Sequence, residues 1–322
     1  MVNEKNNKFS FETSAEDVAE AFSREIQGKN VLITGTSLNG IGYETVKAIA
    51  KYAKLVVMTG HNAERLQLAE QALKKDNPRA NLRRLIVDLS SMASVRKAAV
   101  EVLAYPEPLH VLIHNAAAHF GPQIALSADG LDSQFATDHV GPFLLTKLLL
   151  PKLYAALDSS WKPRVIFVSS LAHSWAESID YDHLLKPKTG KYEAFNVYCQ
   201  AKTANVIMGI ELSRRSKGQI LGYSVHPGAI FTNVHSNPDV IPMLQAFGNL
   251  TEDGKPNTEN FQWKTLGQGA ATTVAAAFDP SLIETPGAYL DDSTVANASI
   301  SAHAAGPLWS LTEQIVGEKF EF

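Results

Sequence analysis

The chain has only one cysteine, Cys199, in 322 residues. An internal disulfide is impossible and a cysteine-based zinc site cannot be assembled, which fits a reducing compartment. Neither sign of charge is in excess: 29 Lys+Arg stand against 33 Asp+Glu, a formal net charge of −4. Without a basic surplus nothing points to nucleic acid, and no run of charge forms a tail. No apolar stretch reaches the roughly 18 residues of a membrane span. The opening MVNEKNNKFSFETSAEDVAEAF is polar, neither signal peptide nor membrane anchor. HExxH, a Walker A loop and a G-x-S-x-G elbow are all missing, which excludes the commonest zinc protease, nucleotide hydrolase and α/β-hydrolase readings. What remains is a cytoplasmic protein acting on a small molecule, with no metal.

What is present is alternation. After Gly28 the segments NVLITG, KLVVMTG, LRRLIVDLS, LHVLIHNAA, RVIFVSS and ILGYSVHPG read as short apolar strands. YETVKAIAKYA, AERLQLAEQALKK and MASVRKAAVEVLA separate the first four as amphipathic helices. That order means βαβ units, and right-handed crossovers place helices on both faces of a parallel sheet. The fold expected is α/β, a doubly wound Rossmann sheet in one domain over residues 28–322. TTVAAAFDP is expected as a late helix and GAYLDD as a last strand. Residues 1–27 form an extension, mobile through residue 13 and then helical after Thr13-Ser14, with Glu16 and Asp17 in the first turn. Residues 233–264, rich in Asn, Pro and Gly, lack periodicity and are a candidate substrate loop or lid. Val240, Ile241, Met243, Leu244, Phe247 and Trp263 there serve either an apolar, aromatic or lipid-like ligand or ordinary packing.

The first strand runs through Thr34-Gly35-Thr36-Ser37-Leu38-Asn39-Gly40-Ile41-Gly42 into a helix. Glycines at such a junction let the backbone approach a pyrophosphate, and the helix N-terminus offers free N–H groups and a positive dipole end. An ordinary βα turn has the same outline. The second strand ends in Thr59-Gly60-His61-Asn62, where a fold that grips the free ribose of NAD carries an acid. No acid stands there, which favours NADP over NAD. His61, Asn62 and Arg65 are then partners for a 2′-phosphate, or plain surface residues. Ser169-Ser170 closes the RVIFVSS strand and Tyr198-Cys199-Gln200-Ala201-Lys202 follows. On a helix Tyr198 and Lys202 share one face. A free tyrosine titrates near about 10, and a neighbouring ammonium favours its phenolate. Tyr198 can then act as general acid or base, while Ser170 donates to the substrate oxygen.

Taken in order, the glycine turn, Asp88, Asn115-Ala116, Ser170, Tyr198 with Lys202, and Pro227-Gly228 resemble the short-chain dehydrogenase/reductase family, single-domain branch. The resemblance spans about residues 28–232 and is looser through Gln268–Thr272 and Gly287–Leu290. The Ser170-Leu171-Ala172-His173 continuation and the long gap to Tyr198 resemble the retinol dehydrogenase and WW-domain oxidoreductase branch. One extra residue between Gly35 and Gly40, against the family's TGxxxGxG, resembles its fungal members. The resemblance implies that Asp88 and Leu89 meet the adenine, with a helix N-cap, shared with Ser90 or Ser91, as the other reading of Asp88. It implies that Asn115, Ala116 and Ala117 pass under the adenosine ribose, Ala117 with negative φ where the family has Gly. Pro227, Gly228, Ile230 and Thr232 would border the nicotinamide carboxamide, and Lys202 its ribose. Ser170 matches the family's catalytic serine, with Ser169 as the fallback. In Asp138-His139-Val140-Gly141-Pro142-Phe143, Asp138 stands where the family has Asn; it either joins the site, through a water or Lys202, or faces solvent. The implied activity is NADP(H)-dependent hydride transfer to or from a ketone, aldehyde or alcohol, in a dimer or tetramer. A catalytically weak NADP(H)-binding redox sensor is the alternative that Asp138 keeps open.

Overall fold

Val31 and Ile33 turn to one side of the first strand and Leu32 to the other, and all three are fully buried. A strand apolar on both sides needs cover on both, so the sheet must be sandwiched between helices. The computed structural model describes residues 9–118, 121, 123–187, 193–298, 300 and 305–322. Its strands are β1 (Asn30–Ile33), β2 (Leu55–Gly60), β3 (Leu82–Ile86), β4 (Val111–His114), β5 (Arg164–Val168), β6 (Leu221–Val225), β7 (Ala229–Ile230), β8 (Trp263–Lys264), β9 (Tyr289–Asp291) and β10 (Thr294–Ala296). Eight of them form one sheet in the order β10-β9-β6-β5-β4-β1-β2-β3, parallel except for the β9–β10 hairpin. β7 and β8 pair separately.

The principal helices are α1 (Ala15–Ala21), α2 (Ile41–Ile49), α3 (Ala63–Asp76), α4 (Met92–Leu103), α5 (Gly141–Leu148), α6 (Ala194–Arg215), α7 (Leu266–Phe278) and α8 (Ala305–Val316). On one face Val18, Val46, Ile49 and Val274 pack with Val31 and Ile33. On the other, Val95, Phe143, Ile207 and Trp309 pack with Leu32, Leu112 and Phe167. Each such side chain contributes about 1.5–3 kcal/mol of burial. The doubly wound α/β fold expected from alternation is therefore the fold found.

Three elements depart from the expectation. Residues 9–13 are packed: Phe9 meets Phe22 edge-to-face at 5.6 Å, and the Gln268 amide donates to the Glu12 carboxylate at 2.9 Å. Residues 1–8, expected to be mobile, lie outside the described residues. The β10 strand, a short half-exposed return paired with β9, and α8, which gains its burial from distant chain, were not anticipated. Trp309 of α8, for example, is fully buried against Phe143 at 5.0 Å. Neighbours of β1 are β2 on one side and β4 on the other. Connections leave in opposite directions there, and a crevice opens at the carboxyl ends of the strands.

Candidate active site

The crevice is a cleft of about 960 Å³. Its floor is the glycine turn, and the geometry shows why glycine is required. Gly35 has φ +71°, and a Cβ there would lie 2.7 Å from the Ala116 Cα. A Cβ on Gly42 would lie 2.4 Å from the Gly35 carbonyl oxygen and 2.5 Å from the Asn115 amide nitrogen. That amide donates to the carbonyls of Thr34 and Gly35, each at 2.9 Å, and so binds β4 to the turn. Asn39, in the lengthened turn, takes φ +59°, a conformation Asn tolerates better than most. Gly40 caps α2 with no side-chain hydrogen bond, leaving first-turn N–H groups facing the cleft.

Gly35, Ser37, Leu38, Gly40 and Ile41 line the cleft, as do His61 and Arg65, Asp88 and Leu89, Asn115, Ala116 and Ala117, and Thr232. Thr36 does not; its hydroxyl donates to the Thr59 carbonyl at 3.1 Å and anchors the turn to β2. Gly42 supports the wall from behind, against Gly35 and Asn115, and Asn39 does not line it. Asn62 is corrected: its side-chain oxygen accepts from the Arg65 N–H at 2.9 Å, capping α3, and it stays out of the wall. Asp88 is not a helix N-cap. It accepts from the Ser90 N–H and hydroxyl, while Ser91 caps α4. Ala117 is absent from the positive-φ residues, as expected. Pro227, Gly228 and Ile230 do not line the cleft. Ile230 is only 5% exposed, and a Cβ on Gly269 would meet it at 2.2 Å, so its side chain points into packing.

Thr137 lines the wall with no warning in the sequence. Asn233, Val234, Asn237 and Pro238 bring the start of the 233–264 segment, the candidate substrate loop or lid, to it as well. The Asn233 amide donates to the Leu38 carbonyl at 2.9 Å, bridging the cleft mouth.

Past the cleft, at the end of β5, Ser169 and Ser170 separate in role. The Ser169 hydroxyl is buried and donates to the Lys202 carbonyl at 2.7 Å. Ser170 is half-exposed, and its hydroxyl accepts from the Ala172 N–H at 3.2 Å. Tyr198 and Lys202 share a face of α6, the Lys202 ammonium 5.4 Å from the tyrosine ring centre. The ammonium also reaches the Val168 carbonyl at 3.4 Å and the Asp138 carboxylate at 2.9 Å. Burial pulls the Lys202 pKa down, but the charges of Asp138 and Tyr198 and the Asp138 hydrogen bond outweigh it, and the net shift is upward.

Asp138 does not face solvent. It is 3% exposed and sits in a π-helical turn, Ala136–Val140. Pro142 cannot donate to the carbonyl four residues back, and the Gly141 N–H reaches Ala136 instead. Gly141 itself is forced, because a Cβ there would lie 2.2 Å from the Leu89 oxygen. Asp138 also accepts from the Ala118 N–H at 2.7 Å.

Four rings gather over this end. Phe195 lies 5.8 Å from Trp175, 6.2 Å from Tyr198 and 4.6 Å from Phe247. Trp175 is 56% and Phe247 46% exposed, unusual for such large apolar groups. Phe247 comes from the 233–264 segment. Val240, Leu244 and Leu250 of that segment, joined by Ile241 and Met243, make a small core of their own. Those positions take the packing role, whereas Phe247 rests on Phe195 with nearly half its surface exposed. Trp263 lies in β8 and donates to the Asn257 carbonyl at 3.0 Å.

A glycine turn under a switch-point cleft defines a dinucleotide-binding α/β protein. A family model described as short chain dehydrogenase matches residues 29–181. The chain is 33% identical over 314 residues to the short-chain dehydrogenase TIC 32 A, chloroplastic, of Brassica napus, covering 94% of this chain and 93% of that one. It is 32% identical over 299 residues to human retinol dehydrogenase 11, covering 91% and 87%. A solved structure of 3-oxoacyl (acyl-carrier-protein) reductase from Agrobacterium tumefaciens, with NADP bound, superposes with a TM-score of 0.60 at 19% identity, covering 84% and 95%. The chain belongs to the short-chain dehydrogenase/reductase family of oxidoreductases. Among the described residues no helix is long and apolar enough to cross a membrane.

Proposed function

We propose that the chain is an NADP(H)-dependent oxidoreductase acting on an apolar ketone, aldehyde or alcohol. The carrying observation is the buried Lys202 ammonium between the Tyr198 ring and the Asp138 carboxylate, tied to the cleft wall through the hydrogen bond from the Ala118 N–H to Asp138. The cofactor fits what is there: glycines whose Cβ atoms would fill the cradle, and an uncapped helix start above it. Gly40 and Ile41 at the N-terminus of α2 would face the pyrophosphate, and Asp88, Leu89 and Ala116 the adenosine. Gly60 bears no acid, and the exposed Arg65 makes no ion pair among the described residues, which supports a 2′-phosphate partner. The reduced nicotinamide supplies a hydride.

The chain's own residues handle the proton and the oxygen. Ser170 donates to the substrate oxygen and Tyr198 gives or takes its proton. Lys202 orients Tyr198 and the nicotinamide ribose. The exposed Trp175 and Phe247, with the half-buried Phe195 between them and Tyr198, support an apolar, flat substrate, and the name of retinol dehydrogenase 11 is consistent with that class. A cytoplasmic dimer or tetramer belongs to the same proposal and rests on composition and resemblance. The test is NADPH oxidation followed by absorbance across aryl, polyene and steroid carbonyls, with NADH and Tyr198→Phe in parallel. Turnover should fall by about 10²–10⁴-fold in Tyr198→Phe, with NADPH binding retained. Equal turnover in that variant refutes the assignment.

A further inference from the structure

Among the described residues Asp138 holds its place with two donors and no acceptor. One carboxylate oxygen takes the Ala118 N–H at 2.7 Å and the other the Lys202 ammonium at 2.9 Å. Neither partner can accept a proton from it, so the group works as a carboxylate. Its side chain is 1% exposed and that of Lys202 4%, so water screens the pair little. The family's usual Asn would leave an uncancelled ammonium beside Tyr198. Here the ammonium is cancelled at contact distance.

We infer that Asp138 is a positioning residue that neutralises Lys202, so that Tyr198 exchanges its proton beside a buried pair of zero net charge. The reading rests on the function proposed above. The pull of a lysine on a tyrosine proton comes from unbalanced positive charge. With the pair balanced, the proton is held more tightly than an Asn-bearing site would hold it. Both directions of the reaction depend on that one proton: reduction needs Tyr198 protonated, oxidation needs it ionised. The falling limb of reduction and the rising limb of oxidation therefore both lie at higher pH than they would with Asn at position 138.

Among the described residues, the other ionisable groups packed around α6 do not replace the missing charge. His173, on the turn after Ser170, gives Nδ1 to the Ser170 carbonyl and is kept neutral by burial. His139 pairs with Thr312, and burial lowers its pKa to about 3. Burial lifts the Cys199 thiol to about 11. Asp132 pairs with His183 at 3.3 Å, and Glu193, at the N-cap position of α6, is exposed to solvent. Glu211 is spent on Arg214 and Arg215 at the other end of the helix.

The experiment is the pH profile of kcat/KM in both directions for wild type and Asp138→Asn. The Tyr198 phenolate is followed in parallel by ultraviolet difference absorbance against matching Tyr198→Phe backgrounds. In Asp138→Asn both limbs and the phenolate titration should move together to lower pH by about one unit, tenfold in proton concentration. Limbs that keep their pH while overall rates fall would assign Asp138 a purely structural part and overturn the inference. A second variant protects against poor folding of the first. Asp138→Asn/Lys202→Met buries no uncompensated charge, and its phenolate should titrate close to wild type. A clear rise in that double variant means Lys202 acted unopposed, and overturns the inference. The phenolate readout needs no turnover. Failure here with an inactive Tyr198→Phe leaves the proposed function standing, whereas an active Tyr198→Phe removes both.

Discussion

Replacing Gly42 by alanine is a test of the cleft floor whose size can be worked from distances. The new Cβ would sit 2.4 Å from the Gly35 carbonyl oxygen and 2.5 Å from the Asn115 amide nitrogen. Neither atom is the free end of a flexible chain. The Gly35 carbonyl is backbone, and the Asn115 amide is held by two 2.9 Å hydrogen bonds. Either α2 backs away from the sheet, an overpacking cost of about 1–3 kcal/mol, or Asn115 swings out and gives up two bonds at about 0.5–1.5 kcal/mol each. Alanine returns roughly 1 kcal/mol of helix propensity. The net loss is about 1–5 kcal/mol where both adjustments occur, or roughly 2–10 °C in Tm at about 2 °C per kcal/mol for a long domain. The control is Gly267→Ala in the first turn of α7, where a Cβ meets nothing within 4 Å. There the helix should gain about 0.4–1 kcal/mol. Thermal unfolding reads the stability, and nicotinamide fluorescence reads NADPH affinity, which should weaken only in Gly42→Ala. A Gly42→Ala protein that melts with or above wild type, or a Gly267→Ala protein that falls equally, refutes the reasoning.

The two serines should separate cleanly. Ser169→Ala removes a buried donor to the Lys202 carbonyl and costs about 0.5–1.5 kcal/mol of stability with most turnover kept. Ser170→Ala should cost about 10²–10³-fold in kcat, and steady-state kinetics beside melting curves will show the contrast. Gly60→Asp tests cofactor choice. A Cβ there meets only Leu66, at 3.8 Å, so the side chain fits. The new carboxylate should lower the NADPH to NADH ratio of kcat/KM by at least tenfold, about 1.4 kcal/mol of repulsion and lost contact. An unchanged ratio would remove Gly60 from the specificity argument.

Strand and helix order, the parallel sheet, the glycine turn, and the face shared by Tyr198 and Lys202 were all legible in the sequence. They depend on periodicity, on φ and on local spacing, which a chain carries residue by residue. The pairing of Asp138 with Lys202 was open in the sequence, because 64 positions separate them and only a widened turn around Ala136–Val140 brings the carboxylate inward. Ser169 and Ser170 are adjacent and chemically identical. Which hydroxyl is buried follows from the alternation of β5 against α6, a fact of packing. The apolar residues of the 233–264 segment looked alike until folding sent Val240, Leu244 and Leu250 into a core and left Phe247 on Phe195. Local chemistry named the candidates. Contacts between distant residues, which cost chain entropy and exist only once the sheet is assembled, decided which of them meet.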